Sequence, residues 1–250
     1  MRKRDPRRLL SSYRESRARV EILGKPENSS APDGSVTTKQ VADVTLPESE
    51  LDRIWNAEYL ERLARTYWRF LTRVSLGLIR VHYTPDRREV VLVTRPFRLL
   101  TFNAPEYDTE PTRGTVTWSI REGLLVAPHG RNKGYLRISV ERREDWSDGP
   151  GGLQVARVTS EVGNFYPTIA GWGWFAKIGQ FIYRITQLFI HAVVTDAFFR
   201  SLARLDLAPS VVGAMRQQAE ELRAEGDEEG AREADAIADV EVERREAAAG

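Results

Sequence analysis

Apolar positions in the chain change their spacing from one segment to the next. Val36, Val41, Val44 and Leu46 are interleaved with Thr and polar residues over 36–46, which predicts a strand. Pro47 then suits the first turn of a helix, with Glu48, Glu50 and Asp52 near its positive end. Leu60, Leu63, Tyr67, Phe70, Leu71 and Val74 recur at three and four, tracing one helical face, and Asn56 divides this stretch into two shorter helices.

The period then drops to two. Residues 76–84, the turn Pro85-Asp86 and residues 89–94 predict a hairpin, and 97–103 a further strand. Val116, Trp118 and Ile120 alternate within 114–121, and Leu136, Ile138 and Val140 share a face within 135–141. A polar loop, 145–152, precedes a last strand at 153–162. Six strands joined by turns, after the first strand and the helix pair, predict an α+β fold with a strongly curved antiparallel sheet of about seven strands.

Residues 168–205 are the most apolar stretch and predict one long C-terminal helix. Lys177, Gln180, Arg184, Gln187 and His191 form its narrow polar stripe. Past Thr195 the pattern rotates, with Asp196 and Arg200 at i,i+4, so the helix is expected to leave its packing partner there. The apolar arc is wider than one sheet face covers, which favours a homodimer over a monomer.

Charge divides the ends from this body. The 250 residues include 37 Lys+Arg and 36 Asp+Glu, a net charge of +1, which argues against a generally basic nucleic-acid binder. That balance hides a basic head, with eight cations and three acids in 1–21, and an acidic rear, with twelve acids and five Arg in 216–250. Residues 1–35 are expected as a flexible extension, with 24–35 a Gly/Pro/Asn/Ser linker, 36–205 as the folded domain, and 206–250 as an acidic Ala/Glu/Arg tail, helical or disordered. Limited proteolysis is expected to remove roughly 1–35 and the region beyond about 215. No apolar stretch follows the basic start, so no secretory leader is expected, and no run is long enough for a transmembrane span. The chain has no Cys, which removes disulfides and thiolate chemistry and fits a cytoplasmic location.

Catalytic motifs are missing. His82, His129 and His191 show no metal spacing, and the nucleophile elbow, the phosphate-binding loop and the dinucleotide fingerprint are all lacking. No metal site or cofactor follows, and an enzyme is not the favoured reading. The informative residues are aromatic: Phe165, Tyr166, Trp172, Trp174, Phe175, Phe181, Tyr183, Phe189, Phe198 and Phe199 gather in one segment.

The order of strand, helix pair, six strands and long C-terminal helix, with Leu46-Pro47-Glu48-Ser49-Glu50-Leu51 leading from first strand to first helix, resembles the helix-grip superfamily. That superfamily includes START domains, plant pollen-allergen-like proteins and bacterial polyketide cyclase/dehydrase-like proteins. The resemblance implies a seven-stranded sheet gripping the last helix over a hydrophobic cavity. Its members include lipid carriers, cyclases and interaction modules, so the fold alone does not fix the function. The expected function is binding of an apolar or aromatic small molecule, lipid-like or polyketide-like, between sheet and C-terminal helix. Val116, Trp118, Ile120, Leu136, Ile138, Val158, Phe181 and Ile185 are the candidate lining. The alternative is a protein-assembly or membrane-surface adaptor that uses helix 168–205 without a ligand.

Overall fold

The computed structural model describes residues 17–93, 97–143, 152–168, 191–205 and 207–249. Its strands are β1 (Arg19–Ile22), β2 (Glu27–Ser30), β3 (Val36–Pro47), β4 (Ile79–Tyr83), β5 (Arg87–Leu92), β6 (Arg98–Asn103), β7 (Glu106–Thr109), β8 (Arg113–Glu122), β9 (Tyr135–Arg143) and β10 (Leu153–Phe165). The described helices are α1 (Glu48–Ile54), α2 (Ala57–Val74), α3 (His191–Leu202), α4 (Val211–Glu225) and α5 (Glu228–Ala249), the last one long. All strand pairs are antiparallel, in the order β1-β3-β10-β9-β8-β6-β5-β4, with β2 also against β3 and β7 against β8. Register shifts at Val90/Val91, Thr101/Phe102 and Val162/Phe165 mark irregularities that add local bend and twist.

The sheet has ten strands where about seven were expected. The three extra strands are short and carry no apolar run. β1 exposes Arg19 and Glu21 in alternation, and every residue of β2 is exposed. Both cover the outer edge of β3. The supposed linker 24–35 is in fact half of a hairpin. At its turn, Ala31-Pro32-Asp33-Gly34, Gly34 takes φ +84° and Asp33 Oδ1 accepts from Ser35 N at 3.0 Å and Ser35 Oγ at 2.8 Å. Asp33 Oδ2 also accepts from Tyr166 Oη at 2.6 Å, and these hydrogen bonds, Tyr166's first, hold the Asp33 carboxyl down at about 2.

One face of the sheet carries the core. Trp68 of α2 meets Trp118 of β8 edge-on at 5.2 Å and Phe102 of β6 at 5.3 Å. Tyr67 of α2 meets Phe198 of α3 at 5.6 Å. The expected departure of the last apolar helix from its partner past Thr195 does not occur: Phe198, Phe199 and Leu202 are buried, and the Asp196–Arg200 pair lies on the solvent side at 2.7 Å. The chain turns by one face there without leaving the core. Residues 169–190, which hold most of the expected helix, lie outside the described residues.

The acidic rear is helical. Ser210 Oγ accepts from Gly213 N to cap α4, Gly226 ends it at φ +85°, and Asp227 accepts from Gly230 N at the start of α5. Ala219, Ala231 and Ala234 let the two helices approach closely, and Val211, Met215, Ile237 and Ala238 form a second small core beside Tyr83. The hairpin is fastened to the body through polar groups. Arg88 of β5 pairs with Glu241 at 3.0 Å, and Tyr107 Oη donates to Glu241 at 2.8 Å. Glu61 of α2 accepts from Arg245 at 2.8 Å and from Val211 N at 2.9 Å. This tail is therefore expected to resist the trimming that its composition suggested.

Candidate ligand cavity

A break between two helices opens the cavity. Asn56 adopts an extended backbone and its side chain accepts from Tyr59 N at 3.0 Å, so α2 starts anew after α1. The break leaves Leu51 and Ile54 of α1, Trp55 just after it, and Tyr59, Leu60 and Leu63 of α2 around one space. Val44 and Leu46 of β3, Ala156 and Val158 of β10, Val140 of β9, Gly114 of β8 and Thr109 of β7 form the sheet side. Leu202, Leu205 and Leu207 close it where the chain leaves α3. The cavity measures about 80 Å³. Two small residues keep it open: Ala156, and Gly114, where an added Cβ would already lie 3.7 Å from the Leu60 methyls.

The rim is fixed by hydrogen bonds and stacking. Trp55 Nε1 donates to the Glu110 carbonyl at 3.1 Å, and the Arg142 guanidinium lies 4.5 Å from the Trp55 ring centre while pairing with Asp52 at 2.6 Å. Tyr59 Oη accepts from Arg53 at 2.7 Å, and the Arg62 guanidinium covers the Tyr59 ring at 4.7 Å. Leu205 in the wall sits at φ +50°, a left-handed backbone that a γ-branched residue rarely adopts.

Polar chemistry inside is sparse. Thr109 Oγ1 is buried and has no hydrogen-bond partner. Such a group costs stability unless something pairs with it. Glu61, whose carboxyl burial pushes up to about 7 against the pull of Arg245, faces the α4–α5 hairpin through Arg245 and Val211 N. His129 lies edge-on to Tyr166 at 5.2 Å, and the hydrogen bond that Tyr166 donates to Asp33 holds the phenol above its ordinary range. Among the described residues, no three His, Asp or Glu side chains converge as metal ligands. Among them, too, no helix is long and apolar enough to cross a membrane.

Of the eight residues expected to line a ligand site, Val158 borders this cavity. Val116, Trp118, Ile120, Leu136 and Ile138 are buried in the core. They occupy the same strands, but the space over that stretch is filled by Trp68, Phe102 and neighbouring rings. Phe181 and Ile185 lie outside the described residues. Thr109, Trp55, Leu202, Leu205 and Leu207 were not anticipated as lining. The signal that could have pointed here is the pair of small residues, Gly114 and Ala156, where the neighbouring core positions are large.

No family model matches this chain. A search of curated proteins likewise finds no match.

Proposed function

We propose that this protein binds an apolar small molecule in the cavity beneath the α1–α2 break, with one polar group of the ligand meeting Thr109. The observation that carries the reading is an apolar space of about 80 Å³ whose wall holds a buried hydroxyl without a partner. That volume is about half that of an engineered cavity known to take up benzene. The bound portion is therefore small, a short chain or a single ring, and a larger lipid-like or polyketide-like molecule would insert one end. The helix-grip resemblance supports the same reading. Its seven expected strands correspond to β3, β4, β5, β6, β8, β9 and β10, the helix pair follows the first of them, and α3 follows the last. The reading calls for no cofactor, and its proposed setting is the cytoplasm.

The test uses indole, octanol and octanoate as probes. Each is titrated into the protein while tryptophan fluorescence and melting temperature are followed. Binding is expected to be saturable, to alter Trp55 emission and to raise Tm by mass action. Ala156→Leu should fill the space and abolish both signals while the protein still melts cooperatively. A wild-type protein that ignores all three probes overturns the proposal.

A further inference from the structure

Three connections meet at the far end of the sheet from the cavity. Gly114, at the cavity, and Glu122 are separated by roughly 25 Å along β8. At the Glu122 end, Val93 N donates to the Leu78 carbonyl, Leu92 N to the Phe97 carbonyl, and Leu124 N to the Arg98 carbonyl. These bonds bring together the α2–β4 turn, Val93 and Phe97 at the ends of β5 and β6, and the chain leaving β8. Each places apolar side chains in solvent: Leu76 is 90% exposed, Leu78 55%, Val93 50%, Phe97 53% and Leu124 56%. Scattered exposed leucines are ordinary, but five contributed by three adjoining connections mark an interaction surface.

The backbone makes the choice of residues more telling. Leu76 has φ +53° and Val93 φ +61°. Gly or Asn suits that conformation, and a β-branched Val at such a φ is an outlier. Bulky apolar residues stand where the turn alone would favour small polar ones. Charge identifies the partner. Arg73, Arg80, Arg98 and Arg121 lie within three residues of the apolar tips in sequence and are exposed, and Arg80 Nε donates to the Gly77 carbonyl beside Leu76. The acids near them are Glu122 and Glu89, which pairs with Arg98 at 3.5 Å, so cations outnumber acids. Apolar tips that insert shallowly, flanked by cations that meet headgroups, fit an anionic lipid surface.

We infer that this end of the sheet, carrying Leu76, Leu78, Val93, Phe97 and Leu124, docks on an anionic bilayer. The inference does not depend on the cavity having a ligand. It is tested by cosedimentation of the full chain with phosphatidylcholine vesicles containing about a third phosphatidylglycerol, beside pure phosphatidylcholine. Binding is expected to the anionic vesicles and to be weak on neutral ones. Leu76→Asn combined with Phe97→Ser should lower the partition coefficient by roughly tenfold or more, since two apolar anchors are lost. Asn suits the backbone at 76, so the variant should melt no earlier than wild type. Arg73→Gln with Arg80→Gln should reduce the preference for anionic vesicles. Equal binding to both vesicle types, or none, overturns the inference. Binding unchanged in the apolar variant also overturns it, pointing instead to the apolar sequence 169–190. A dimer in vesicle-free solution that this variant dissociates would overturn it in favour of a second copy of the chain.

Discussion

Arg88 and Glu241 lie 153 residues apart in sequence, yet their side chains meet at 3.0 Å with relative exposures of 2% and 0%. Arg88 also donates to the Thr84 and Arg87 carbonyls, and Glu241 accepts from Tyr107 and Arg244. This buried, well-partnered pair joins the C-terminal hairpin to the sheet. Removing one partner from such a pair costs about 3–5 kcal/mol, because the other charge is left buried alone. Glu241→Ala should therefore destabilise the protein by about that much, measured by denaturant unfolding, and should make 206–249 the first region cut by protease. Arg88→Met together with Glu241→Leu should recover most of the loss. Equal stability of wild type and Glu241→Ala would show that the hairpin is not held there.

A second junction gives a pH dependence. The folded protein holds the Glu61 carboxyl at about 7, chiefly through burial, above its ordinary 4.5. A carboxyl raised on folding makes the folded state bind more protons between those two values. Its contribution to stability is therefore most favourable below 4.5, declines as pH rises through 4.5 to 7, and is flat above. Asp33, held at about 2, acts in the opposite sense and only at lower pH, adding stability that is lost as pH falls from 3.8 toward 2. Unfolding free energies measured from pH 5 to pH 8 should fall for wild type by more than for Glu61→Gln. Parallel curves for the two proteins would count against this assignment.

Thr109 supplies a prediction for the ligand-free cavity. Its hydroxyl is buried without a partner, so Thr109→Val should raise stability by about 1 kcal/mol in the absence of ligand. The same change should weaken octanol and indole, which offer a hydroxyl or N–H, more than toluene, which offers neither. Comparing the three dissociation constants in both proteins checks this.

Much of the architecture is legible in the alternation of residues such as Val116, Trp118 and Ile120, because a half-buried strand must repeat at two. The helix break at Asn56 is legible for a similar local reason, since a side chain that caps Tyr59 N competes with continuing the helix. What escapes is set by tertiary partners. β1 and β2 have little apolar signal because they cover an edge with one or both faces in water, although Pro32-Asp33-Gly34 does spell a turn. The hairpin α4–α5 reads as a solvated tail because Ala219, Ala231 and Ala234 bury little area each, and because Glu241 and Arg245, charged residues that suggest surface, are the ones that anchor it. The space bordered by Gly114 and Ala156 escapes too, since sequence shows which face a residue shares but not that Trp68 fills the space above Trp118.

Methyl NMR during an indole titration addresses the central claim most directly. Saturable shifts should appear at Val44, Leu46, Leu63, Val140, Val158 and Leu202, which border the cavity, and not at Val116, Leu136 or Ile138, which are packed in the core. Perturbations confined to that second group, or no perturbation at saturating indole, would contradict a ligand site beneath the α1–α2 break.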